Sequence, residues 1–326
     1  MPPKIRGMTA NSSSLPAALR RLTLMVSGED SLDDQDAGDQ PRKGLPHERY
    51  LLGEQVPLAP VLLLGQSQQA VDPEQNIACL QPVHLHATRD HLILMGQNQI
   101  DLTKNETDEL LNAARPFIEE DFGHPILFHD QHYWFIAAGP FESLASYSVD
   151  QAHGRNIDWW MPRDTHQEGV AKIWRKLQNE IQMLWHIDPV NEAREARGLP
   201  SINSLWISGI GKLANVKMPV HLTKSQQIYS HHPLMAGLAK HAHIPFARDV
   251  DLKGLVNAFV WSERPDTLWP HLQQALEQKQ LDEVLIIDFP DGKTRERIFT
   301  AKSLNKKSWA FWKKTETLTW KEIISS

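Results

Sequence analysis

A single cysteine, Cys79, stands in a chain of 326 residues, so no disulfide can form within it, and a reducing compartment, the cytoplasm, is the expected location. Long apolar runs are missing: none approaches the roughly 18–20 residues that a membrane helix requires. The stretch after Met1 is polar and Ser-rich with no apolar centre, so no signal peptide is expected. Charge of one sign is also scarce. The 40 acidic residues against 34 basic ones leave a net charge of -6, which favours solubility and gives nucleic acid no electrostatic reason to bind. There is no internal repeat, and no nucleophile-elbow pattern marks an α/β hydrolase.

What is present is an ordinary globular composition, 41% hydrophobic and 23% charged, with a length that allows one large domain or two modest ones. The unusual count is 11 tryptophans. Core or subunit-contact roles are expected for most, with ligand stacking as the alternative.

Texture along the chain divides it into four parts. Residues 1–14 read as a disordered leader. Residues 15–59 read as a short helix, with Leu15, Leu19, Leu22 and Val26 on one face, followed by an acidic linker over Gly28–Pro41. Residues 60–164 spell strand, strand, helix, strand, strand: Ala78–His86 and His91–Met95, a capping box of Thr103 and Glu106 opening a helix to about Phe122, then a hairpin with Asp130-Gln131-His132 at its tip. That order predicts an α+β layer with a helix on an antiparallel sheet. Residues 165–326 alternate strand and helix. The spacing predicts a capping-box helix from Thr165 and Glu168, a short helix capped by Asn191, and a strand at Leu205–Ser208 ending in a Gly209-Ile210-Gly211-Lys212 loop. Further strands are expected near Gln226–Tyr229, Ala258–Trp261 and Val284–Asp288, and helices at Pro233–Lys240 and Thr267–Gln278. The fold class is therefore α/β with an α+β portion: a mixed sheet with flanking helices.

Chemistry concentrates between Leu177 and Pro219. Loops at strand ends in α/β folds are common ligand sites. Arg194 and Lys212 could grip a phosphate or carboxylate, one by a two-pronged hydrogen bond and the other as a point charge. Gly209 and Gly211 would let the backbone approach an anion. The competing reading is a plain turn, with Arg194 paired to a neighbouring carboxylate. His84 and His86 point the same way from a strand. Like the pairs His231-His232 and His241/His243, they lack the extra ligands of a metal site, and structural roles are expected. Asp288 and Asp291, at a strand end and the turn beyond it, are the candidates if a metal binds, although a simple turn is the first expectation. Five lysines alternate with Trp309, Phe311 and Trp312 near the C-terminus. An amphipathic last helix, with Leu304, Trp309 and Trp312 against the core, is expected there rather than a nucleic-acid or membrane surface.

The run from His186 to Lys212, HIDPVNEAREARGLPSINSLWISGIGK, resembles the signature of archaeal-type cofactor-independent phosphoglycerate mutases of the alkaline-phosphatase superfamily. There a His-Pro-Val-Asn-x-x-Arg run leads through Pro-Ala-Asn into a strand ending Gly-x-Gly. Upstream, Cys79–Leu110 and Gln131–Gly139 are similar to that family's preceding blocks, so the likeness spans about half the chain, roughly residues 78–247. Bacterial regulatory proteins of the RpfE type resemble it more closely. The resemblance implies part of the mutase fold and a ligand set of Asn191, Arg194, Asn203, Gly209, Gly211 and Lys212. It also exposes departures. Asp188 replaces the motif's His, Gln81 and Ser208 stand where arginines are expected, and Trp134 follows Tyr133 in place of Arg. The mutases need two metals around a Ser or Thr nucleophile. Here the first 60 residues contain no Asp-Gly ligand turn, and Asp288 is followed by Phe289 rather than His. The expectation is a degenerate relative with no catalytic residues and no cofactor. It would act by binding a small anionic metabolite or a protein partner, without membrane or nucleic acid, in a regulatory role. The alternative is an active mutase or phosphatase with unusual ligands, holding Mn or Zn.

Overall fold

The structure, a computed structural model, describes residues 19–30, 41–304 and 318–325. The expected leader, most of the acidic linker, and Trp309, Phe311 and Trp312 lie outside the described residues.

In chain order the first elements are β1 (Arg21–Met25), α1 (Pro46–Leu52), α2 (Leu58–Gln66), β2 (Ile77–Ala87), β3 (Leu92–Met95), α3 (Gln97–Ile100) and α4 (Lys104–Phe122). The middle of the chain forms β4 (Ile126–His129), β5 (Trp134–Ala137), β6 (Leu144–Ala145), α5 (Val149–Ala152), β7 (Arg163–Asp164), α6 (Val170–His186), α7 (Pro189–Ala196) and β8 (Ser204–Gly211). The rest comprises α8 (Val220–Thr223), β9 (Gln227–Ser230), α9 (Pro233–Ala242), β10 (Phe246–Ala247), β11 (Ala258–Trp261), α10 (Pro265–Glu277), β12 (Glu283–Asp288), β13 (Arg295–Phe299) and α11 (Trp320–Ser325).

Two sheets organise the molecule. One runs β10-β9-β11-β1-β12-β13, parallel except for β13. The other runs β3-β2-β5-β4, with β8 on the free flank of β2, and is antiparallel. This is the mixed α/β fold that the alternating pattern predicts. Neither sheet comes from one stretch of chain: β1 reaches across more than 200 positions to β11 and β12, and β8 returns to pair with β2.

The expected helix over Leu15–Val26 is instead β1, in its described part. Leu22 and Leu24 pack with α10, while Met25 packs on the other face with α2 and α9. A short strand buried on both faces is apolar throughout, and periodicity alone does not separate it from a helix.

Helix α2 fills the space between the sheets. Its sequence, LAPVLLLGQ, is apolar all round, as a helix buried on every side must be. It packs against α9 on one flank and β8 on the other. Two glycines allow the close approach: a Cβ on Gly65 would lie 2.8 Å from the Gly237 nitrogen, and a Cβ on Gly237 would overlap the Val61 carbonyl oxygen. Lys240 closes the C-terminal end of α2, its ammonium donating to the Leu64 and Ser67 carbonyls at 3.0 and 3.1 Å. Outside this layer, α4 and α6 cover the antiparallel sheet and α10 covers the parallel one. The segment before α1 ties the halves together, with the Gly44 N–H donating to Gln151 Oε1 at 3.0 Å and Lys43 Nζ to the Ile210 carbonyl at 2.8 Å.

The α4 capping box forms as expected, the Thr103 N–H donating to Glu106 Oε2 at 2.8 Å and the Glu106 N–H to Thr103 Oγ1 at 3.3 Å. Two other expected caps do not. Helix α6 begins after Gly169, and the Asp164 carboxylate accepts the Gly169 and Ala171 N–H groups at 2.8 and 2.6 Å. Helix α7 is capped by Asp188, which accepts the Val190 N–H at 2.9 Å with Pro189 at the first helical position. The competing acceptor in each case lies upstream of the residue that the spacing favours.

Candidate functional site

Arg194 is fully buried. Its Nε donates to the Pro200 carbonyl at 2.8 Å and its Nη1 to Glu106 Oε2 at 2.9 Å, while Nη2 donates to the Ile100 carbonyl. No face of the guanidinium is left for a ligand. Asn191 is likewise closed, donating to the Trp185 and Ile202 carbonyls at 2.8 Å each and accepting the Ile202 N–H at 2.7 Å. Asn203 exchanges two bonds with the Leu85 backbone at 2.7 and 3.0 Å.

Gly209 and Gly211 lie within β8, not in a loop beyond it. Gly209, at φ +65°, makes a β-bulge against β2. A Cβ there would meet the Ala59 nitrogen at 2.7 Å, and one on Gly211 would meet Pro57 Cβ at 2.7 Å. These glycines admit α2, not an anion. Lys212 follows at the far end of β8, 3.6 Å from Glu74. Arg194 sits by the Ser204 end, so the two cations are separated by about 20 Å of strand and do not share a ligand. Asn191 and Asn203 do meet at one cleft of about 300 Å³ beside Met183 and His186.

The metal candidates are accounted for differently. Asp288 accepts from Arg295 Nε at 3.0 Å and Nη2 at 2.7 Å, and from Arg297 Nη2 at 2.7 Å. Asp291 occupies a left-handed turn at φ +51°. Both Asp288 oxygens are thus engaged by arginines, and among the described residues no three His, Cys, Asp or Glu side chains gather as metal ligands. His84 and His86 do face the same way, their rings 5.8 Å apart, and His84 Nδ1 lies 2.7 Å from the Ser201 carbonyl.

A larger opening, about 470 Å³, lies where β9 and β11 end. Carboxyl ends of parallel strands are where open α/β sheets place ligands, because the loops diverge there. Its lining includes His231, Arg248, Trp261, Glu263, Arg264 and His271. His231 Nε2 lies 3.3 Å from Asp249, whereas Arg248 and Arg264 form no ion pair among the described residues. Sequence reasoning missed this cleft. The signal was available: His231-His232 and Ser262-Glu263-Arg264 each follow a strand directly.

Trp261 is the cleft's buried wall. His232 stacks on it with ring centroids 4.1 Å apart, His47 approaches at 5.1 Å, and the indole N–H donates to Ser27 Oγ at 3.1 Å. Burial pushes the His47 pKa down to about 4. Burial and the neighbouring His47 push His232 down to about 3. Glu48 moves the opposite way, up to about 7, chiefly because it is buried. Between the ordinary carboxylate and histidine ranges, the unfolded chain binds two protons, on His47 and His232, that the folded chain does not. The folded chain holds one, on Glu48, that the unfolded chain has released. The one-proton difference from these three groups makes stability fall as pH drops through that window, by roughly 1 kcal/mol per pH unit, and the lowered His84, His132 and His241 act in the same direction. Denaturant unfolding at a series of pH values is expected to show this slope, and His47→Gln is expected to reduce it.

No protein-family profile matches the chain, and no curated protein does. Among solved structures, a cofactor-independent phosphoglycerate mutase from Thermoplasma acidophilum is similar at 13% identity and a TM-score of 0.35, over 86% of this chain and 90% of that one. The PH0037 protein from Pyrococcus horikoshii is similar at 14% identity and a TM-score of 0.34, over 82% and 81%. Likenesses this loose transfer neither residues nor activity. No helix among the described residues is long and apolar enough to cross a membrane.

Proposed function

We propose that this protein acts by binding a small anionic metabolite in the cleft at the ends of β9 and β11, as a regulatory relative of the cofactor-independent phosphoglycerate mutases and of the RpfE-type proteins. One observation carries the reading. Arg248 and Arg264, with no ion pair among the described residues, line a cleft of about 470 Å³ at the carboxyl edge of a parallel sheet. Guanidinium groups suit carboxylate and phosphate oxygens, which they meet with paired, charge-assisted hydrogen bonds. The Arg194–Lys212 region does not support the same role, because its two cations lie at opposite ends of β8 and Arg194 is saturated by protein acceptors. The engagement of Asp288 by two arginines favours binding over metal-assisted phosphoryl transfer.

Calorimetric titration of the full-length protein with 3-phosphoglycerate and with inorganic phosphate tests this. Binding to the wild type is expected, with Arg264→Ala and Arg248→Ala each weakening it about ten-fold or more. Equal affinity in all three proteins, or no binding to the wild type, would sink the reading. Manganese-stimulated interconversion of 2- and 3-phosphoglycerate would establish the enzymatic alternative in its place.

A further inference from the structure

A second surface of a different kind lies where α6 meets α7, and its cleft shares no lining residue with the one at β9 and β11. Met183 and Ile187, at the end of α6, are each 74% exposed, more than any other large apolar residue described. They are one helical turn apart and so lie on the same side of the helix. Met183 also lines the cleft of about 300 Å³ between α6, α7 and the entry to β8. That volume lies at the lower end of the range for ligand pockets and has room for one bulky side chain. Trp185 and Asn191 form its buried wall, and their polar atoms are already bonded within the protein.

The formally charged side chain that lines this cleft is a carboxylate, Glu195, beside the imidazole of His186. Helix α7 turns Glu192 and Glu195 to solvent, with Asp188 at its start, and Glu195 lines the cleft itself. None of the three forms an ion pair among the described residues. The cations that could neutralise them look elsewhere: Arg194 and Arg197 both engage Glu106. On α6, Lys176 lies 3.5 Å from Glu180, two turns before Met183. An apolar anchor point beside a helix that presents three unpaired carboxylates is electrostatically complementary to a basic segment carrying one large apolar side chain, and it disfavours nucleic acid and anionic lipid.

We infer that the α6–α7 face is a docking surface for a protein partner, engaged through a lysine- or arginine-rich segment whose single bulky apolar residue enters the cleft beside Met183. The anchor supplies affinity by burying its side chain against Met183 and Ile187. The carboxylates set the partner's charge and speed its approach. The surface is separate from the anion cleft at β9 and β11, so the two proposals stand or fall independently.

The test uses a fluorescein-labelled peptide rich in lysine with one central tryptophan, titrated into the full-length protein by anisotropy at low and moderate salt. Saturable, salt-weakened binding is expected. Glu195→Lys and Met183→Ser are each expected to weaken it about ten-fold, and a peptide with glutamates in place of lysines is expected not to bind. These positions are exposed, so both variants should keep the wild-type circular dichroism. In the wild type labelled at its methionine methyls, the resonance that vanishes in Met183→Ser must shift when peptide is added. No binding to the wild type, equal binding of the acidic peptide, undiminished binding to both variants, or an unmoved Met183 methyl would each overturn the inference.

Discussion

Gly237→Ala is expected to destabilise the protein by about 3 kcal/mol or more, the upper range for overpacking a dense interior. Gly237 faces Val61 where α9 crosses α2, and an added methyl group would coincide with the Val61 carbonyl oxygen and lie 2.8 Å from its carbonyl carbon. A flexible side chain could turn aside, but backbone cannot. The methyl group is accommodated only if the helices part, and α2 is the layer between the sheets, so parting them opens both of its flanks at once. Gly139→Ala is the matched control. A Cβ there has nothing within 4 Å, and a change within about 0.5 kcal/mol is expected. Denaturant midpoints of the two variants, measured side by side, check the prediction. Similar midpoints would mean that the crossing is looser than the distances state.

Arg194→Met is expected to cost about 3–5 kcal/mol, the usual result of removing one partner of a buried ion pair. Arg194 pins two backbone segments, one through the Pro200 carbonyl and one through the adjacent Ile100 and Asp101 carbonyls, and it neutralises Glu106 from a fully buried position. Glu106 in turn closes the α4 capping box. Burial works to raise the Glu106 pKa, but bonds from Thr103, Arg197 and the Arg194 charge outweigh it and hold the carboxyl below its ordinary range. Stability from this pair is therefore present above the ordinary carboxylate range and is lost as pH falls through the depressed value. The double variant Arg194→Met with Glu106→Gln should recover part of the loss, because it leaves no buried charge short of a partner, and Arg197, which also pairs with Glu106, is half exposed. Equilibrium unfolding of the two single variants and the double variant measures the coupling. Phosphate binding, measured in parallel, is expected to stay at the wild-type level, since a pinning role and a ligand role for Arg194 differ in that readout.

The difference between what was legible and what was not follows the range of the interactions. Thr103 and Glu106 were readable as a cap because the bonds close within four residues, and the hairpins of β2/β3 and β4/β5 because short turns fix their partners. Asp188 displaced Asn191 as the α7 cap through a similarly local contest, decided by Pro189 at the first helical position. Strand β1 was read as a helix because its partners, β11 and β12, lie more than 200 residues away. Gly209 and Gly211 looked like an anion loop because nothing near them in the chain announces that α2 will rest on them. Arg194 looked like a ligand residue for the same reason, since Glu106 is 88 positions away.

By itself the sequence determined the elements whose hydrogen bonds and apolar periods are local, and with them the α/β class and the alternation that builds a parallel sheet. The tertiary structure alone decided which charged groups are free. It buried Arg194 against Glu106, gave Asp288 to two arginines and left Arg248 and Arg264 facing a cleft. The reason is physical: a charge finds its partner through space, and a pairing between distant segments exists only once the core between them has formed.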